Sequence, residues 1–572
     1  MTSTSQITRS YRAGEPRSGP LTMGQANMIR CILRDEPEEI NNHLVWAVPP
    51  GVTLDQVAAA FVTLAERHES LRTRYPHSTG TAPTVQQVHP NGTIDIAVVE
   101  AQDGQDTGAL AARLALAQRS PRFDLAAEFP LRITVVAQAG RPVRIALVSC
   151  HAAVDATALH LLGQEFQALL RGDELPPPPA NAPIDIAALE RTPAGIRRSE
   201  SSLRHWRRII SDKPQAAFAE DRTAHSDRML PQLWIRSRQA AKDLARTAER
   251  TGMSPTTVLV AAWCSLVAHR TAQRSCVSAI LSSNRFLPQL TDYIGTVAQD
   301  ALLALDTDAE TFDDLLLRAK GSLLAAYRNS WFDATELWDA IGEVEHRRGT
   351  RFTRDVVFND LSALSLQARQ WADPTAEPAL EWEPAQAVPV RIMLWCHAFG
   401  ETLDLSLRVD PQLLDQAEAE GFAVGLLVLL RAAAEGPVPM RSLAKTTGIR
   451  AAVRGPDWSL VDGSWIHLPT VDRLLQEALG TPVRLRVEDD PDHGAILAAD
   501  IAVGPADKPV TPEQAHRAVL AALVDQPTAM APGRYTVYAV DPLPGPDGPD
   551  GPDWSRATVV AQGDGRSVEA GR

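Results

Sequence analysis

The segment Ser149-Cys150-His151-Ala152-Ala153-Val154-Asp155-Ala156-Thr157 carries side chains whose types and spacing suit proton transfer. Imidazole is the side chain whose ordinary pKa is best matched to acid–base work near neutral pH. A histidine placed where a buried strand gives way to a turn can project its ring into a cleft. Asp155, four residues on, could hold that loop or orient the ring. Taken alone, His-x-x-x-Asp equally describes a histidine satisfied within a turn. Cys150 adds a thiol beside the imidazole. It is one of five cysteines, with Cys31, Cys264, Cys276 and Cys396, that are scattered and never spaced as Cys-x-x-Cys. Neither a disulfide framework nor a cysteine zinc site is indicated, and a reducing cytoplasm is the expected setting.

The elements around the segment follow from periodicity. Val143, Ile145 and Leu147 alternate as on one face of a strand running to Cys150. Leu159, Leu162, Phe166 and Leu169 then recur at helical spacing up to Gly172. Residues 149–157 therefore occupy a strand-to-helix turn. Earlier, Thr53-Leu54-Asp55-Gln56 is a capping box, and Leu54, Val57, Phe61, Leu64 and Leu71 mark an amphipathic helix ending near Arg72. Ile94–Val99 and Leu131–Val136 read as strands. The run Pro176–Pro179 is stiff and cannot lie inside a helix, so residues 173–185 read as a linker between two lobes.

The second lobe opens with arginine-rich helical sequence, Arg197 to Lys213. Ser254-Pro255 caps a helix whose body, Thr256–Val267, is apolar on all sides and hence buried. Val277–Leu281, Val356–Phe358 and Leu403–Val409 read as strands, and Thr311–Tyr327 and Pro411–Ala434 as helices. Residues 456–540 read as a smaller α/β unit, with strands near Val483–Val487 and Ala495–Ile501 and a helix over Pro512–Leu523. The Gly-Pro-Asp triplets from Gly545 to Asp553 are too few for a triple helix and read as a flexible tail. The expected divisions are 1–19 disordered, 20–180 and 186–435 as lobes, and 456–572 as an appendage.

The 572 residues include 44% hydrophobic and 22% charged side chains, a composition that fits packed domains and argues against a largely disordered chain. The net charge of −14 makes nucleic acid a poor partner. No apolar run reaches the roughly 18 residues that span a bilayer, so no membrane partner is expected. Arg204, Arg207 and Arg208, and Arg347, Arg348 and Arg351, could receive an acidic protein, although such clusters are more often solvated faces.

Several blocks together carry a family likeness. They are Leu21-Thr22-Met23-Gly24-Gln25, Arg67-His68-Glu69-Ser70-Leu71-Arg72-Thr73, Phe123-Asp124-Leu125 with Pro130-Leu131-Arg132, the His151 segment, Ser283-Asn284-Arg285, Tyr293-Ile294-Gly295 and Phe358-Asn359. In order and spacing they resemble the condensation domains of nonribosomal peptide synthetases, over about residues 20–435. The resemblance implies an α/β fold of two chloramphenicol acetyltransferase-like lobes, each a two-layer sandwich, meeting in a V with a tunnel between them. It implies acyl transfer from a carrier-protein phosphopantetheine thioester to an amine or hydroxyl, with no bound metal or nucleotide. His151 matches the functional histidine of His-His-x-x-x-Asp-Gly. Asp155 matches its aspartate and Arg285 that aspartate's partner, both in structural roles. Ser283 and Asn359 fall near the tunnel, and Asn359 equally fits a turn.

Two positions depart from the pattern. Cys150 stands for the first histidine and reads as a small buried thiol rather than a nucleophile, since neighbouring strand side chains point to opposite faces. Ala156 stands for the glycine. It is strained if the site needs positive φ, and only narrows the tunnel if glycine is there for room. In the tail, Asp462-Gly463-Ser464-Trp465 and Met530-Ala531-Pro532-Gly533-Arg534-Tyr535 resemble the small C-terminal subdomain of adenylate-forming enzymes, without its catalytic lysine; the tail's lysine is Lys508. No Gly-x-Asp-Ser-like carrier site is present, so the carrier is expected in trans. The sequence thus reads as a free-standing condensation enzyme. A docking module with a decayed motif is the alternative, and an acyltransferase using soluble coenzyme A thioesters is a third reading.

Overall fold

Alternation along a strand decides which side chains enter a core. In Arg141–Ser149, Ile145 and Leu147 are fully buried against Phe61, Leu162 and Phe166. Those three lie on the helices Leu54–Arg67 and Ala156–Arg171, which cover one face of the first lobe's sheet. A third helix, Thr107–Arg119, covers the other face. The computed structural model describes residues 4–218, 229–364, 369, 371–373, 375–388, 390–490, 494–504, 510–524, 526–541 and 552–566.

The first sheet has five strands, in the order Thr4–Arg12, Asn91–Glu100, Leu131–Gln138, Arg141–Ser149, Asn42–Ala47. Its first member corrects the expectation of disorder over 1–19. Thr4–Arg12 pairs antiparallel with Asn91–Glu100 along its whole length, and Arg17–Pro20 pairs with Val85–Val88. The segment has no apolar run because it is an edge strand. Tyr11 is buried and Ile7 packs on the core, while the intervening Ser, Thr and Arg side chains face solvent. The Thr53–Gln56 capping box forms as read, but the helix stops at Arg67 and Glu69–Arg72 is a 3-10 turn. The stretch after Gly172 has no helix until Pro183–Glu190.

The second lobe holds a seven-stranded sheet in the order Gln299–Asp306, Ser275–Ser282, Val356–Asp360, Ile392–Ala398, Leu403–Val409, Met229–Ser237, Ala379–Ala387. Helix Pro255–Arg270 lies at the centre of its core, buried on every side from Val258 to Ala268, as its all-round apolar sequence requires. Helix Gln416–Glu435 begins later than Pro411 because Asp415 is its N-cap. Among the described residues no single helix is long and apolar enough to cross a membrane.

Residues beyond the second lobe build a third core around Leu475, Ile501, Val519 and Tyr535. Its sheet runs Val483–Asp490, Gly494–Val503, Arg534–Ala539, Thr558–Gly563, beside a hairpin of Trp458–Val461 and Ser464–His467. Arg348 anchors this unit. Its buried guanidinium pairs with Asp462 at 2.6 Å and donates to the carbonyls of Ile210 and Lys213. Arg351 donates to the Leu520 carbonyl, and the Ala531 N–H to the Gly349 carbonyl. Arg348 and Arg351 are therefore engaged within the chain, whereas Arg204 stays exposed. Lys508 and most of the Gly-Pro-Asp stretch, through residue 551, lie outside the described residues.

Candidate functional site

The strand Arg141–Ser149 delivers the chain into a turn at 150–155, and Asp155 then caps helix Ala156–Arg171 by accepting from the Ala158 N–H at 2.9 Å. Strand and helix are both fixed by the first lobe's core, so the turn between them is rigidly placed. Cys150 turns inward, onto Ile29, Tyr75, Phe123 and Val148. Burial pushes its thiol up to about 11, which disfavours the thiolate at neutral pH.

His151 turns the other way and lines a cavity of about 1960 Å³ between the lobes. Its Nδ1 is buried without a hydrogen-bond partner among the described residues. Burial lowers the imidazole pKa below its ordinary value; the ring's own carbonyl and Asp155 only partly oppose this. The ring is therefore neutral at pH 7 and able to accept a proton. The backbone of His151 is held from the second lobe, because Thr296 Oγ1 donates to its carbonyl at 2.5 Å. Gly24 makes this contact possible. A Cβ there would lie 2.4 Å from the Thr296 carbonyl oxygen, so any larger residue would push that loop away.

Asp155 borders the same cavity, but its carboxylate is engaged by other groups. It forms two 2.9 Å bonds to Arg285 and accepts from the backbone N–H groups of Val297 and Ala298. Burial alone would raise its carboxyl; Arg285 and these N–H donors outweigh that and hold it below the usual carboxylate range. Arg285 in turn donates to the carbonyls of Ser283, Tyr293 and Gly295. The pair joins the two lobes beside the histidine.

Ala156 occupies the first turn of the helix with φ in the ordinary negative range, so its methyl is unstrained and projects toward the cavity. Ser283 and Asn359 line the same cavity. Asn359 sits within the strand Val356–Asp360, opposite Trp395, and not in a turn. Other blocks are scaffolding: Arg67 and His68 share Glu165, and Arg132 lies over the Phe123 ring at 3.9 Å.

Sequence reading missed the far wall of the cavity. Gln232, Trp234, Trp395, His397 and Arg408 line it from three adjacent strands, with His43 and Arg119 opposite. The signal was present in Leu403–Val409, where Leu, Asp, Leu, Ser, Leu, Arg, Val alternate; the leucines fill the core, and Asp404 and Arg408 line the cavity.

The condensation-domain family model matches residues 20–445. Cyclosporin synthetase simA of Tolypocladium inflatum is 24% identical over 483 residues, which is 79% of this chain and 3% of that protein. The chain therefore spans only a small part of such relatives. Among solved structures, the X-domain in complex with OxyB from teicoplanin biosynthesis has a TM-score of 0.58 at 20% identity, covering 76% of this chain and 97% of that one. The first condensation domain of the CDA synthetase has a TM-score of 0.57 at 15% identity, covering 74% and 97%. At these identities the likeness shows the fold of two chloramphenicol acetyltransferase-like lobes.

Proposed function

This chain belongs to the condensation-domain family, and we propose that it transfers an acyl or aminoacyl group from a carrier-borne phosphopantetheine thioester to an amine or hydroxyl. The observation that carries this reading is the imidazole of His151, held below its ordinary pKa and lining a large cavity between the lobes. The nucleophile's lone pair would add to the thioester carbonyl, and its N–H or O–H proton would pass to Nε2. The C–S bond then breaks, and the proton leaves with the pantetheine thiol. Base catalysis of this kind contributes about 10²–10⁴-fold, and holding both reactants in one chamber contributes further. Asp155 and Arg285 fix the loop that carries the imidazole. The carrier is proposed to act in trans to this stretch of chain, and the C-terminal unit to be a packed module without adenylating chemistry.

The docking reading needs a cavity closed to the histidine, and the cavity here reaches His151. The test is product formation by mass spectrometry with acyl-loaded carrier and a panel of amines and alcohols. His151→Ala should lower turnover at least about tenfold with the circular dichroism spectrum unchanged. Equal turnover by both proteins would remove His151 from the chemistry.

A further inference from the structure

The far wall of the cavity is a sheet face of polar side chains sealed inside the protein. Strand Leu403–Val409 places Arg408 there, opposite Gln232 on one neighbouring strand and Met393 on the other. One step along the sheet, Trp395 and Trp234 flank Ser406. Arg408 is only 5% exposed. Its Nη2 donates to Gln386 Oε1 at 3.2 Å, but its Nε and Nη1 are buried without a partner among the described residues. Gln232 Nε2, Trp234 Nε1 and Trp395 Nε1 are buried and unpartnered in the same way.

All five atoms are hydrogen-bond donors, and two of them sit on one cation. Of the nearby carboxylates, Glu383 pairs with Arg369 and Asp410 with Arg391, while Asp404 lies 3.4 Å from Arg236 with its Oδ1 in no hydrogen bond among the described residues. From across the cavity Arg119 and His43 add a second cation and another ring. Arg119 spends its Nε on the Asn41 carbonyl. Burial and the nearby Arg119 push Arg408 down to about 10. Burying a cation with open donors is costly unless an anion meets it.

We propose that this end of the cavity is a carboxylate subsite, and that one substrate of the transfer carries a free carboxylate received by Arg408, Gln232 and Trp395. The chemistry of the donor set requires acceptor oxygens bearing negative charge. Glu383 lies close enough to act on Arg408 and would oppose a dianionic phosphate more than a singly charged carboxylate. The subsite rests on the reading of the cavity as a reaction chamber, but binding can be measured without turnover.

The experiment is calorimetric and tryptophan-fluorescence titration of the full chain with 3-phenylpropionate, 3-phenylpropanamide and adenosine 3′,5′-bisphosphate. Wild type and Arg408→Met are compared. The acid should bind wild type at least about tenfold more tightly than the amide, and Arg408→Met should abolish the difference, since hydrogen bonds to charged groups are worth that much. Equal binding of acid and amide, no binding of the acid, a preference that survives Arg408→Met, or the bisphosphate binding in its stead would each overturn the proposal. The variant should melt no lower than wild type, because it loses a buried cation with two open donors; a lower melting temperature would make Arg408 a structural residue and overturn the subsite. Turnover with amino acids against their amides, and with carboxyl-bearing against amidated acyl donors, then assigns the carboxylate to acceptor or donor. Failure of all transfer would count against the acyl-transfer reading and leave the binding result standing.

Discussion

The Asp155 carboxylate and the Arg285 guanidinium, 130 residues apart in the chain, meet in two hydrogen bonds of 2.9 Å at the junction of the lobes. Both side chains are nearly inaccessible, and each also bonds backbone groups of the loop 293–298. A pair buried this way is costly to break by halves, because the remaining charge has no water to turn to. Asp155→Asn should therefore cost about 3–5 kcal/mol in denaturant unfolding, and Arg285→Ala a similar amount. In the double variant the two losses should fall short of their sum, the mark of a direct coupling. Independent, additive losses would show that the pair does not act as a unit.

The same carboxylate predicts acid behaviour. Its folded pKa lies below the usual value, so the unfolded chain binds the proton first. Its contribution is fully present above about pH 3.9 and is lost as the pH falls through the folded value. Asp155→Asn should flatten that part of the stability curve, and an unchanged acid limb would contradict the assignment.

Ala156 tests whether the departure from glycine impairs the site. It lies in the first helical turn, at negative φ, with its methyl in a roomy cavity. Ala156→Gly should cost up to about 1 kcal/mol in stability, from helix propensity alone. Turnover should change by less than about threefold, which is under 1 kcal/mol in the barrier. A rise of an order of magnitude or more would mean that the methyl obstructs the substrate.

Much of this arrangement was legible because local pattern and tertiary demand agreed. Alternation in Val143–Leu147 and helical spacing in Leu159–Phe166 located the His151 turn without any structure. The strand at Thr4–Arg12 was not legible, since an edge strand shows only half its face to the core and Tyr11 with Ile7 makes a thin signal. Arg408 was hidden for a different reason. An arginine alternating with leucines reads as an exposed face, and only the opposing lobe turns that face into an interior. Ala156 could not be judged from sequence because its φ depends on where the helix starts, and Asp155 as N-cap decides that.

Cys150 should behave as packing. Burial pushes both its thiol and that of Cys31 up to about 11, but Cys150 is buried among Ile29, Tyr75 and Phe123 whereas Cys31 is partly accessible. Iodoacetamide at neutral pH should label Cys31 in preference to Cys150 in the folded protein, with both labelled after unfolding, as read by peptide mass spectrometry. Cys150→Ala should keep turnover within a few-fold while lowering stability by about 1 kcal/mol, the cost of a small cavity. Rapid native labelling of Cys150 with loss of activity would restore the nucleophile reading.

The cavity's histidines predict how the protein responds to acid, and they separate chemistry from stability. Burial holds His151 below its ordinary pKa, so kcat/KM should climb with pH through a value below about 6.5 and stay level above it. His43 and His397 are both pushed down to about 4, first by burial. Arg119 and Arg408 then act on His43, while Arg408 and Arg369 act on His397 against the opposing Glu383. For such groups the unfolded state binds protons between pH 6.5 and 4 while the folded state does not. Stability is therefore flat above about 6.5 and falls as the pH drops toward 4, by at most about 3 kcal/mol for each ring. Arg408→Met removes a cation that both rings share, so both should titrate higher by proton NMR and the acid loss of stability should shrink. The kcat/KM limb belonging to His151 should not shift with it, because Arg408 is not among the groups that act on that ring. If Arg408→Met leaves the two rings where they were, the cation does not reach them, and the electrostatic description of the far wall is wrong.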